Sequence, residues 1–254
     1  MLILLPPSEG KTAATKGDPF ELDQLSFPEL NAAHKEVLQT LAHVSSRDDA
    51  MHVLGVGASL VDDVRRNTSL ETEPAAPAHK IYTGVLYDAL GYKSMTAGQK
   101  RKADAAVVVI SGLWGAIGFA DSVPAYRLSM SVSLPGTGTL STYWRKQLAG
   151  PLDERAADEM VVDCRSSSYS AAWAPPAGQS VAVNVFQERD GRRTVVSHFA
   201  KHTRGELARH LLTRRGTAPS TPAKLLRVAN EKWHAELIEA KGRKAHQLNI
   251  ILPG

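Results

Sequence analysis

Four side chains able to do chemistry crowd one short stretch near the start of the chain: Ser8, Glu9, Lys11 and Thr12, set around Gly10. Two hydroxyls and an ammonium supply hydrogen-bond donors for an anion, and the Glu9 carboxylate can take or give a proton. Gly10-Lys11-Thr12 invites comparison with a nucleoside-triphosphate P-loop. That pattern needs a glycine where Leu5 stands, so the comparison fails. Related groups recur further along: Ser111, the pair Tyr126 and Arg127, and the basic residues Lys201 and Arg204. Gathered into one cleft, they would suit a small phosphorylated or nucleotide-like molecule. Lys11 and Arg204 would hold the anion, Glu9 would act as general acid or base, and Tyr126 is a further catalytic candidate. No nucleophile–base–orienter set is legible, so the reaction class stays open.

These groups need a scaffold, and apolar runs provide one. Leu2–Leu5 has no polar break and reads as a short strand buried on both faces, ended by Pro6 and Pro7. Residues 106–110 and 160–163 read as two more buried strands, the first with a glycine-rich exit, Ser111-Gly112-Leu113-Trp114-Gly115. Ligands in α/β proteins settle at the C-terminal ends of such strands, where these polar loops begin. Helices are expected over 26–46, 80–91 and 140–148, and a half-exposed strand over 124–134. Asp190-Gly191 signals a hairpin between 181–187 and 194–199, from which the chain runs through Lys201 and Arg204 into a helix over Leu207, Leu211 and Leu212. A terminal hairpin is expected within 233–251. The fold class is α/β (α+β), a mixed sheet flanked by helices in a single domain spanning 1–254.

A second constellation lies at about 47–67. Apolar residues at Met51, Val53 and Leu54 lead into Gly55-Val56-Gly57, and Leu60, Val61 and Val64 resume helical spacing before Arg65 and Arg66. Helix, glycine turn, helix is the pattern of a helix-hairpin-helix. Gly55 and Gly57 would permit a tight turn whose N–H groups face a phosphate at the second helix's start, with Gly57 needing φ > 0. Such contacts ignore base identity, so the expected partner is double-stranded DNA bound without sequence preference, with Arg65 and Arg66 adding charge.

Formal charge is +4, but Arg189–Arg215 alone carries eight basic residues against Asp190 and Glu206. Localised basicity suits phosphate recognition and equally a solvated helix face. Cys164 is the only cysteine, which excludes an internal disulfide and favours a reducing compartment. It reads as a buried small apolar residue, with His198 the one partner that a nucleophilic role would nominate. The nine histidines show no zinc spacing, and no cofactor or metal is expected. The apolar start lacks a basic leader, and no run is long enough to span a bilayer, so the expectation is a soluble, cytoplasmic protein without a membrane partner.

Leu4-Leu-Pro-Pro-Ser-Glu-Gly-Lys-Thr12 resembles the N-terminus of the YaaA family of bacterial peroxide stress proteins. Ile81–Tyr87, Ile110–Gly115, Pro124–Leu128, Tyr143-Trp144 and His198–Gly205 extend the resemblance in order across almost the whole chain. The sequence departs from it at Ser166, Ser167 and Ser168, which argues against carboxylate chemistry in that loop. The resemblance implies a compact mixed-sheet domain with a helix-hairpin-helix-like insertion, a role in the response to hydrogen peroxide, limitation of iron-driven damage, and duplex DNA binding. An enzyme acting in the polar cleft is the alternative.

Overall fold

Leu2–Leu5 has no polar side chain to expose, and all four residues are fully buried as the central strand β1. A computed structural model describes residues 1–254, apart from the side chain of Ser197. After β1 the chain forms α1 (Asn31–Ser45), α2 (Ala50–Val53), α3 (Val61–Arg66), the two-residue β2 (Ala76–Pro77), α4 (Ala78–Ile81), α5 (Val85–Leu90) and α6 (Ala97–Ala106). Strands β3 (Val107–Ser111) and β4 (Gly115–Gly118) follow. The short strands β5 (Ser122–Val123), β6 (Ser133–Leu134) and β7 (Gly138–Thr139) precede α7 (Leu140–Ala156) and β8 (Val161–Asp163). The remainder is α8 (Ser167–Ser170), β9 (Ser180–Arg189), β10 (Arg192–Val195), α9 (Ser197–Thr213), α10 (Pro222–Ala229), β11 (His234–Ile238) and β12 (His246–Pro253).

The main sheet runs β11-β12-β9-β8-β1-β3-β4, with β10 paired to β9. Its centre is parallel: Leu4 sits opposite Val108 of β3 and Asp163 of β8. β4, β10 and β11 are antiparallel additions at the flanks. The chain leaves β1 toward β3 on one side and later returns to place β8 on the other. The order therefore reverses between β1 and β8, and the loops after these two strands part there, leaving a crevice at their C-terminal ends. Ser8–Thr12 stands at that point. One continuous apolar cluster joins the sheet to its helices, and no helix among the described residues is long and apolar enough to cross a membrane.

Local rules explain most boundaries. Asp190 (φ 51°) and Gly191 (φ 72°) both adopt left-handed conformations, as a two-residue hairpin between β9 and β10 requires. Thr96 and Gln99 form a reciprocal capping box at the start of α6. Three expectations need correction. Residues 80–91 are not one helix, because the chain extends at Tyr82 and Gly84 takes φ 91° between α4 and α5.

Residues 124–134 bury alternate side chains, Tyr126, Leu128, Met130 and Val132 among them, yet only Ser133–Leu134 pairs as strand. The side chain of Asn67 does what a neighbouring strand would do, accepting from Arg127 N (2.8 Å) and donating to Arg127 O (2.9 Å). Finally, α9 begins at Ser197, so Lys201 and Arg204 lie inside the helix rather than in its approach. Alternation within 194–199 ends with β10 at Val195, where the helical pattern takes over.

Candidate functional site

Two proline residues end β1 and hand the chain to a loop that folds back on residues 81–83. Thr12 N donates to Ile81 O (2.9 Å), Lys11 bridges Tyr82, and Thr83 N donates to Ser8 Oγ (3.0 Å). The Ser8 hydroxyl itself donates to Gly10 O (2.5 Å), so it shapes the loop from within. Tyr87 Oη donates to Pro6 O (2.7 Å) and ties the loop to α5.

This packing sets the state of Lys11. Its Nζ donates to Ser8 O (2.8 Å) and lies 4.4 Å from the centre of the Tyr126 ring. Burial lowers its pKa to about 7; Glu9 pulls the other way, while the Arg127 charge adds to the lowering. Arg127 donates through Nη1 to Glu9 O (2.9 Å) and pairs through Nη2 with Glu9 Oε2 (3.1 Å). The guanidinium is largely covered, whereas the Glu9 side chain is 58% exposed. Tyr126 and Tyr82 share a 3.0 Å hydroxyl contact, and burial pushes both phenols up, so they stay protonated. Thr12 is exposed at the rim. Ser111, the last residue of β3, is fully buried; it accepts from Trp114 N (3.0 Å) and lies beside the Tyr82 and Tyr126 hydroxyls.

Lys11, Glu9, Tyr126 and Arg127 are thus neighbours. Lys201 and Arg204 are placed differently. Lys201 is exposed on α9, and Arg204 donates from Nε and Nη2 to Val183 O (3.0 and 2.8 Å) on β9. No hydrogen bond or ion pair among the described residues joins either one to the 8–12 loop. Burial pushes the Cys164 thiol up to about 12, the reverse of what a nucleophile needs, and His198 is exposed.

At the glycine turn, Gly55 has φ 64° but Gly57 has φ −81° and ψ 163°, extended backbone open to any residue. The expected strain at Gly57 is absent because the chain reverses at Gly55 alone. Gly55 N and Val56 N turn inward to His52 O and Met51 O. The N–H groups of Gly57, Ala58 and Ser59, which precede α3, have no backbone acceptor among the described residues. Arg65 pairs with Asp62 (3.0 Å) and is 74% exposed, and Arg66 pairs with Asp63 (3.0 Å). Their charge is locally balanced.

Glu9 and Arg127 of the first constellation and Gly55 of the second meet in one groove. A cavity of about 390 Å³ is lined by Glu9, Gly55, Val56, Arg127, Ser129 and Ser131, with neighbours on either side. The chain matches the family described as "Peroxide stress protein YaaA" over residues 1–237. It belongs to the YaaA family. A UPF0246 protein of Streptomyces coelicolor is 44% identical over 259 residues, covering 99% of this chain and 98% of the relative. One of Corynebacterium efficiens is 40% identical over 84% of this chain and 85% of its own length. A third, from Ruegeria pomeroyi, is 35% identical over 58% of this chain and 59% of the relative.

Asn67 escaped the sequence reading, since a lone asparagine after a helix carries no signal. It is 1% exposed and also donates to Ser45 Oγ (3.2 Å), so it joins α1 and α3 to the Arg127 backbone. Asn67→Ala leaves two part-buried backbone groups without protein partners and is expected to lower stability by about 2–4 kcal/mol. Denaturant unfolding measures this; a loss below about 1 kcal/mol would show that water replaces the amide.

Proposed function

We propose that this member of the YaaA family serves in the response to hydrogen peroxide as a protein that binds duplex DNA without sequence preference. The observation carrying the proposal is the shared groove, in which the glycine turn faces Arg127. The N–H groups at 57–59, which follow directly on the groove-lining Gly55 and Val56, and the Arg127 guanidinium within the groove are donors that suit a phosphate at any base sequence. The part of this reading that concerns iron-driven damage rests on the resemblance alone.

Gly57→Val gives a clean test. A Cβ at Gly57 meets nothing within 4 Å and the backbone there is unstrained, so the variant folds while its side chain covers the donors. Duplex affinity at low salt is expected to fall about tenfold or more, since charge-assisted phosphate contacts are lost. Arg127→Ala, which removes the guanidinium that lines the groove, is expected to reduce the slope of log affinity against log salt by about one unit. Full, salt-sensitive binding by both variants would move the contact elsewhere, with 189–215 the next candidate.

A second reading is favoured by Lys11. A lysine lowered to about 7 beside a carboxylate, a guanidinium and two phenols at a strand-order reversal is the equipment of an enzyme acting on a small phosphorylated molecule.

A further inference from the structure

The Lys11 amine is placed unusually for a simple anion ligand. No carboxylate stands within ion-pair distance of it among the described residues, since the nearby Glu9 carboxylate is turned to Arg127. One carbonyl oxygen, Ser8 O, holds it, and the Tyr126 ring shields one side. The aromatic face favours the ammonium form. Removal from water and the like charge of Arg127 oppose it and prevail, so the pKa falls to about 7 and a neutral fraction of the amine is present at that pH. An ordinary lysine is neutral roughly once in 10³ at that pH. A neutral amine is a nucleophile, and its natural electrophile is a carbonyl carbon.

We infer that Lys11 forms an imine with an open-chain phosphorylated aldose whose phosphate engages Arg127 in the adjoining groove. The inference rests on the cleft reading and deepens it. The amine nitrogen gives its lone pair to the aldehyde carbon, and the carbonyl π pair moves to oxygen. That oxygen takes up the two protons that the nitrogen gives up, departs as water, and leaves a C=N bond; hydrolysis restores both partners without any other reactant. Glu9 has a role in this sequence. Its exposed carboxylate yields Arg127 to the incoming phosphate and relays a proton from the amine nitrogen to the departing oxygen. Ser129 and Ser131 line the same groove and offer hydroxyls to the sugar. The chemistry has two sources: a free aldose phosphate, or a base-free deoxyribose within DNA.

Reductive trapping separates them. Full-length protein is incubated with sodium cyanoborohydride and either ribose 5-phosphate or a duplex bearing one abasic site, then digested and mapped by mass spectrometry. Adduct on Lys11 at tenfold or more the yield on exposed Lys146 and Lys224 is expected in at least one arm. Labelling in the sugar arm only assigns the free sugar, and labelling in the duplex arm assigns the lesion. The Lys11 yield should rise with a midpoint near pH 7, where surface lysines continue to rise toward pH 10. Lys11→Arg, which keeps the charge, should lose the trapped adduct, with thermal unfolding confirming a folded protein. Yield on Lys11 no higher than on the surface lysines in both arms, or the same site-specific yield after Lys11→Arg, would overturn the inference. Fluorescence anisotropy on an intact duplex is read separately, so a protein that binds DNA but traps nothing loses only the imine. One that traps sugar without binding DNA loses only the DNA reading.

Discussion

Asp163→Ala is expected to lower the melting temperature by roughly 6–20 °C, through a loss of about 3–5 kcal/mol. Asp163 ends β8, and its carboxylate is gripped by Arg165 from Nε (2.8 Å), Nη2 (2.7 Å) and the backbone N–H (3.0 Å). The Arg165 side chain is wholly buried and also donates to Tyr169 O and Trp173 O. Those carbonyls satisfy its hydrogens but cannot neutralise its charge. Removing the carboxylate therefore leaves an uncompensated buried cation, which costs far more than the pair itself contributes. The double variant, Asp163→Ala with Arg165→Met, removes charge and partner together and should recover most of the lost stability. Differential scanning calorimetry of the three proteins decides the matter. A single variant melting within about 2 °C of the parent would show that the pair does not hold the 164–173 loop.

That loop marks a limit of the sequence reading. Asp163 and Arg165 are two residues apart, and alternation alone puts them on one side of a strand, yet nothing in composition says that both are buried. The three strands, expected at 2–5, 106–110 and 160–163 and found at 2–5, 107–111 and 161–163, were legible to within a residue because an apolar run has few places to go other than a sheet covered on both faces. The Asp190-Gly191 turn was legible because few residue pairs accept two positive φ values in succession. The site was half legible. Lys11 and Arg127 drew attention as charges next to apolar runs, and they are neighbours. Arg204 looked equivalent and is not, because its guanidinium is committed to the Val183 carbonyl, a tertiary fact with no local sign. Arg65 and Arg66 read as free cations, although Asp62 and Asp63 at i−3 were visible and form the surface pairs that helical spacing permits. Asn67 was missed for a deeper reason. Its work is to supply a strand's hydrogen bonds to Arg127 across 60 residues of chain, and only the assembled fold reveals that 124–132 lacks a pairing strand.

Gly205 is where the largest effect of a single methyl group is expected. Helix propensity by itself favours alanine over glycine in the middle of α9 by about 1 kcal/mol. Packing points the other way. A Cβ at Gly205 would run into the Leu86 carbonyl of α5 and come within 2.9 Å of Ala89 Cβ, closer than such atoms approach in folded proteins. Neither helix can yield easily. α5 is anchored at one end by the Tyr87 hydroxyl on Pro6 O, and at the other by Arg209 of α9, which donates to Leu90 O and Gly91 O (3.0 and 2.9 Å). Forcing the helices apart breaks those bonds and loosens the contact that positions the 8–12 loop. Gly205→Ala is therefore expected to destabilise by about 2–4 kcal/mol despite its better propensity, and Gly205→Val to leave little folded protein at 37 °C. In Gly205→Ala, Lys11 should also shift toward an ordinary lysine as water reaches its amine, which amine titration by NMR reads independently of stability. An alanine variant as stable as the parent would mean that α5 and α9 slide past one another freely, and that the loop bearing Lys11 is held by Ile81–Thr83 alone.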